Sequence, residues 1–251
     1  MDTPRQLLRY SLPGGLFVLV ATVNQLALRW AWGPRASVVF SALSANIAAA
    51  VAGIFVIGFV IYQLYYFFYR PVVPLSRGRT TTDRGGAILS GLKGVDGDPL
   101  SRIQQAYDVQ LNLEVSRGAT EQYRKAWHTH NSIVRSLINT IATCGGEAIR
   151  RDFTNLSDIY HALGACRLVA PLALLATTIF AVSNQTGPIS EHPFSTAVAA
   201  IFMSLLSSMI FLTCHANRRD TWNTMTKQLQ RDLRIWFTRH PSFLHPQDGI
   251  A

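Results

Sequence analysis

The run ASVVFSALSANIAAAVAGIFVIGFVIYQLYYFFY, Ala36 to Tyr69, holds no charged residue at any position. A helix crosses the hydrocarbon core of a bilayer with about 20 apolar residues, so this run is long enough to span with residues to spare. As one helix it would extend roughly 50 Å, which exceeds the core, so it must tilt, protrude or break. It ends on Tyr62, Tyr65, Tyr66, Phe67, Phe68 and Tyr69, followed by Arg70 and Pro71. Aromatic rings backed by a cation mark the border between hydrocarbon and water.

Working outward, three more stretches qualify as spans. Tyr10 to Leu28 is uncharged and follows Arg5 and Arg9. A signal peptide also has a basic start and an apolar centre. This stretch is longer than a typical apolar centre and exits through Arg29-Trp30-Ala31-Trp32 without a clean cleavage site, so a retained span is the better reading. The short segment Arg29 to Arg35, with Gly33 and Pro34, can only join antiparallel neighbours, which makes the first two spans a hairpin. Leu168 to Ser183 and Phe194 to Cys214 form a second hairpin. Arg167 stands at its mouth, where a long cationic side chain snorkels to the interface. Pro171 falls one turn into this hairpin's first helix.

Charge orients the chain. The net charge is +9, and the segment Arg70–Arg167 carries thirteen of the 23 cations. Six more follow Cys214, two lie in the first hairpin turn, and the loop Asn184 to Pro193 has none. Cations collect on the cytoplasmic side of membrane proteins, so both termini and the long middle segment are expected in the cytoplasm of a multi-pass cell-membrane protein. The same rule explains the positive charge without nucleic acid, which is not an expected partner. The expected fold is all-α: four transmembrane helices as two hairpins, bracketing a cytoplasmic helical insert, plus an amphipathic C-terminal helix. Its parts are a hairpin over 1–70, a flexible linker over 71–98, an insert over 99–166, a hairpin over 167–214 and a basic tail over 215–251.

Residues 71–98 hold two prolines and six glycines, too scattered to cradle a phosphate, and read as linker. Asp98-Pro99 has the form of an N-cap followed by proline at the first helical position. Leu100, Ile103, Tyr107, Leu111 and Val115 then share a face. Thr120 opens a second helix with Tyr123, Trp127, Val134, Leu137, Ile138 and Ile141 as its stripe, closed by Gly145-Gly146. A third helix starts at Glu147. Its seam is Ile149, Phe153, Leu156, Tyr160 and Leu163, and no stop precedes the third span. In the tail, Trp222, Met225, Leu229, Leu233 and Trp236 line one side, suited either to a bundle with the insert or to the inner leaflet. The bundle is preferred, since three seams otherwise lack a full partner.

Few residues carry the mark of chemistry. The spans contain no Asp, Glu or Lys, which counts against proton relays, coupled transport and voltage sensing. Asn24 and Asn46 can bond to each other across antiparallel helices or line a neutral constriction. Ser41, Ala45, Ala49 and Gly53 recur at four-residue spacing, which lets helix backbones approach closely, within the chain or between copies. Arg70, Arg150, Arg151 and Arg167 can contact phosphates or lipid headgroups. His128 and His130 point to different helix faces, and the three cysteines are widely spaced, so no metal site or cofactor is expected. Arg124 and His130 form an Arg-x5-His pattern similar to the short signature of HEPN-type ribonucleases, whose helical domains place Arg and His together over a phosphate. No serine triad, paired catalytic carboxylates or dinucleotide fingerprint is present.

The leading expectation is a self-associating membrane protein, not an enzyme: a channel or membrane-perturbing effector gated by its cytoplasmic helices. Its partners would be the bilayer, further copies of itself, and a cytoplasmic protein or an anionic ligand. The alternative is a membrane-anchored scaffold or sensor for a protein or nucleotide partner. A membrane-tethered HEPN-like nuclease using Arg124 and His130 ranks third.

Overall fold

The computed structural model describes residues 3–33, 47–69, 84–111, 113, 120–184, 189 and 191–244. Among these there is no strand. The helices are α1 (Thr3–Trp32), α2 (Ile47–Tyr69), α3 (Arg84–Ser90), α4 (Pro99–Ala106), α5 (Thr120–Ile141), α6 (Glu147–Asn184) and α7 (Pro193–Arg239). Three of them, α1, α6 and α7, are long and apolar enough to cross a membrane, which makes this a helical membrane protein. The described part of the long uncharged run is α2, with a shorter apolar stretch over Val51–Phe67. Residues 34–46, which include Ser41, Ala45 and Asn46, lie outside the described residues, as does Arg70.

The chain divides into two compact units. One comprises Met1–Val73 with Asp158–Thr221, the other Pro74–Ser157 with Trp222–Ala251. In the first, α1 and α2 cross where two glycines meet opposite backbones. A Cβ on Gly14 would overlap the Ile54 carbonyl, and one on Gly58 would overlap the Tyr10 carbonyl. Between helices bathed in lipid the drive is close packing, not the hydrophobic effect, so removing two side chains here brings backbones together. Around the crossing, Tyr10 meets Phe59 and Tyr62 edge-on at 5.5 and 5.4 Å. At the other end of α1, the Trp32 indole donates to Thr196 Oγ1 at 2.7 Å, and Ser195 Oγ donates to the Ala31 carbonyl at 2.9 Å. Helix α6 contributes Ala162, Ala165, Val169, Ala170 and Ala173, all essentially unexposed. Large side chains face outward instead, among them Leu19, Leu26, Val56, Leu175, Ile179, Leu205 and Leu212. On α6 the small residues face inward and Leu175 and Ile179 face outward, a pattern that suits a hydrocarbon solvent.

The second unit follows the rules of a water-soluble bundle. Its core joins Ile88, Leu89 and Leu92 with Ile103 of α4, with Ile133, Val134, Leu137, Ile138 and Ile141 of α5, and with Leu229, Leu233, Trp236 and Phe237 of α7. Ile149 and Phe153 of α6 pack against it. The tail side chains thus lie in the same core as the insert.

Several boundaries match the residues that set them. Asp98 caps α4: its carboxylate accepts from the Ser101 amide at 3.4 Å and from the Ser101 hydroxyl. After α5, the chain passes through a π-type turn, Ala142–Gly146, with Gly145 at φ 99°, and re-enters helix at Glu147. Helix α6 then runs unbroken through Pro171 to Asn184.

Three expectations need correction. Residues 84–97 are not linker: α3 buries Ile88 and Leu89, and Gly85 sits so close to the His130 backbone that a Cβ would overlap it. Gln230 Nε2 donates to the Ala87 carbonyl at 2.7 Å and Arg234 to the Gly91 carbonyl, which holds this segment to α7. Helix α4 ends at Ala106, because the chain turns through Asp108 at φ 46°, so Leu111 joins the core from outside the helix. The fourth span and the tail are one helix of 47 residues, with no break at Cys214.

Two outcomes follow. Gly58→Ala should destabilise the detergent-purified protein by about 2 kcal/mol, because the added methyl meets backbone. Gly15→Ala, with open space around it, should be neutral or slightly stabilising in the same chemical-denaturation measurement. In the second unit, the Ser101 hydroxyl and then its amide hold the Asp98 carboxyl below its ordinary 3.8. A carboxyl depressed in the folded state stabilises above its unfolded pKa, and that contribution vanishes as pH falls through the folded value. Asp98→Asn, which tolerates the left-handed backbone at φ 42°, should therefore lower the melting temperature at pH 7, and the gap from the parent should narrow as the pH falls below about 4.

Candidate functional site: a cationic and aromatic cluster in the span unit

The polar residues of the first unit gather where α1, α2, α6 and α7 carry tyrosines and arginines. Tyr62, Tyr65 and Tyr66 follow one another along α2, with ring centroids 5.0 to 6.1 Å apart. The Tyr65 ring lies flat against α6 because residue 164 is glycine; a Cβ there would strike the ring. His161 stacks on Tyr66 at 5.4 Å, and its Nδ1 is 3.2 Å from the Tyr65 hydroxyl.

Three arginines sit among these rings, each held differently. Arg9 of α1 makes an ion pair with Asp158 of α6, whose side chain is 3% exposed. The Arg9 Nε donates to the same carboxylate oxygen at 3.2 Å. Arg218 of α7 lies over the Tyr160 ring at 4.4 Å and the Tyr65 ring at 5.6 Å, and donates to both hydroxyls. Arg167 of α6 lies over the Phe211 ring at 5.0 Å, and its Nε is buried without a hydrogen-bond partner. A guanidinium over an aromatic face gains attraction from the ring while keeping its donors available in the plane.

The other expected site residues are dispersed. Asn24 is fully buried in α1, and neither its amide nitrogen nor its oxygen has a partner among the described residues. Its expected partner Asn46 lies outside them. Ala49 and Gly53 belong to α2, and Gly53 is half-buried. Arg150 pairs with Glu147 one turn back on α6, Nε to Oε2 at 2.9 Å, and Arg151 is exposed beside Asp152 at 3.8 Å. These two belong to the second unit, apart from the cluster around Arg167. His130 is 1% exposed and covered by Gly85, so its imidazole offers no access to an RNA phosphate. The Arg124 side chain lies outside the described residues.

The second unit carries one concavity of interest, about 260 Å³, bordered by Gly146, Ile149, Asp232, Trp236, Arg239 and His240. The His240 ring stacks on Trp236 at 3.9 Å. Burial raises the Asp232 carboxyl above its ordinary value, against the opposing charge of Arg231. Among the described residues no group of histidines, cysteines and carboxylates is arranged to hold a metal ion.

Sequence spacing missed the Arg9–Asp158 pair, the Arg218 clamp and the Gly14–Gly58 crossing. Two signals were present. Asp158 is an acidic residue close to a span, and Gly14 and Gly58 are small residues inside apolar helices. No protein family matches the chain, nor does any curated protein or solved structure.

Arg9→Gln should cost about 3 kcal/mol, since it removes the cation from a carboxylate buried at an apolar border. Asp158→Asn should cost less, because Arg9 is one-third exposed and can turn to water. The double variant should recover part of the loss, a coupling that thermal unfolding of the four proteins in detergent would read.

Proposed function

We propose that the protein is a membrane-anchored helical scaffold or sensor. In this reading α1, α2, α6 and α7 supply four spans as two hairpins, and the positive-inside rule puts both termini and the second unit in the cytoplasm. One observation carries the choice over a channel: the second unit has a core of its own, drawn from insert and tail together. A domain that buries Leu89, Ile103, Leu137, Leu233 and Phe237 completely has what it needs to present a fixed surface to a partner. The interior of the span unit, by contrast, is packed with Val20, Ala21, Ile61, Tyr62, Tyr65, Ala165, Val169 and Ala173. The close approach of Gly14 and Gly58 is made within one chain. Both features weaken the case for small-residue stripes as contacts between copies.

A channel or membrane-perturbing effector is the second reading. What favours it is the fully buried Asn24, whose amide has no partner among the described residues, followed by Gln25, whose Oε1 has none among them either. Polar atoms left unbonded inside a span bundle suit a path that opens on rearrangement. In that version the unbroken helices α6 and α7 would transmit a signal from the second unit.

The mass of the detergent-purified protein, corrected for bound detergent, separates the two. The scaffold reading expects a monomer or dimer. A closed ring of four or more copies would overturn it and make a central pore the working description.

A further inference from the structure

We infer that Arg167 and Arg218 hold the phosphate of an anionic lipid headgroup against the aromatic end of the span unit. The inference does not rest on the scaffold reading; it concerns the first unit alone. Arg167 of α6 lies over Phe211 of α7 and Arg218 of α7 lies over Tyr160 of α6, so both guanidinium groups sit in the seam between these two helices. Along α7, His215 falls between Phe211, whose ring underlies Arg167, and Arg218. The His215 Nδ1 is buried without a partner, and its ring lies parallel to Phe211 at 6.4 Å. The Arg167 Nε is likewise buried without a hydrogen-bond partner among the described residues.

Like charges gathered beside hydrocarbon are costly, and the cost falls when an anion is shared between them. The rings fix the geometry beforehand. Arg167 is laid over Phe211, and Arg218 is clamped by Tyr65 and Tyr160, so little rotamer freedom remains to be lost when an oxyanion arrives. The carboxylate of Asp158, in the same unit, is engaged by Arg9. Basic pockets between membrane helices are suited to lipid phosphates.

The source of that phosphate is argued from what adjoins it. Leu205, Met209 and Leu212 are each at least 60% exposed, and they climb α7 to the turn that carries His215 and Arg218. An acyl chain lying along that stripe would bring its headgroup to the arginines. A soluble phosphate has no use for the stripe.

The test uses the full-length protein, purified in detergent and stripped of lipid, with binding read by native mass spectrometry. The probes are phosphatidylglycerol, phosphatidylcholine with the same acyl chains, and inorganic phosphate. The expected result is a preference for phosphatidylglycerol over phosphatidylcholine of about tenfold, on the scale of one to two arginine contacts. Arg167→Gln should bring that ratio near one, Arg167→Lys should keep part of it, and Arg150→Gln should leave it unchanged. Equal retention of the two lipids by the parent protein overturns the proposal, whether or not any variant folds. So does an unchanged ratio in Arg167→Gln. Inorganic phosphate competing away phosphatidylglycerol at millimolar concentration would assign the cluster to a soluble anion and overturn the lipid as its ligand.

Discussion

The Arg9–Asp158 ion pair is the constraint on which the span unit turns. It joins α1 to α6, residues 149 positions apart, at a carboxylate that is almost wholly removed from water. A buried charge is tolerated only with its partner in place, so this contact fixes which faces of α1 and α6 meet. Everything packed beside it inherits that register. One residue on from Arg9, Tyr10 meets Phe59 and Tyr62, and one turn further Gly14 receives the Ile54 backbone. In lipid the apolar side chains cannot choose their partners, since hydrocarbon is as good a neighbour as leucine. A polar tie and a pair of glycines can choose, and here they act on successive turns of the same helix.

The second unit depends on a different balance. Its core is large aliphatic and aromatic side chains withdrawn from water, and polar groups are used to close its edges. Arg102 illustrates the use. It is 8% exposed, lies over the Phe237 ring at 5.5 Å, and donates from Nη1 to the carbonyls of Pro241 and Phe243, the latter at 2.9 Å. Those carbonyls belong to the turn after α7, beyond the end of its helical hydrogen-bond ladder. The arginine thereby fastens the chain end over α4, with Phe243 and Leu244 in the core beneath.

Much of this was legible where local chemistry decides the outcome. Asp98-Pro99, Gly145-Gly146 and Glu147 bound helices because caps and breakers act through neighbours a few residues away. The apolar runs were equally plain, because the length of a bilayer-spanning helix is a physical dimension. What failed was the inference from glycine to flexibility. Gly85 and Gly91 stand where α5 and the Gln230 side chain come too close for a Cβ, so their composition signals contact, not freedom. Five of the six glycines that suggested a linker over 71–98 lie between residues 85 and 97, in a segment that packs on the core. The cluster around Arg167 was half visible. Its position at a span mouth follows from sequence, but the rings under it come from α2 and α7, and only the folded chain brings Tyr65, Tyr160 and Phe211 to the arginines.

The excess of arginine then divides into separate uses. Arg9 balances a buried carboxylate, Arg102 satisfies free carbonyls, Arg150 pairs with Glu147 on a solvated helix, and Arg218 is held by tyrosine rings and hydroxyls. Each use relies on the guanidinium's planar fork or its weak hydration, properties that lysine lacks, and the chain has only three lysines. At these four sites a flat, permanently charged donor solves a local problem, and at two of them, Arg102 and Arg218, it does so over an aromatic ring. Arg167 differs from the others in having a ring beneath it and no acceptor among the described residues. A cation kept under those conditions at the edge of hydrocarbon is more stable with an anion than without one.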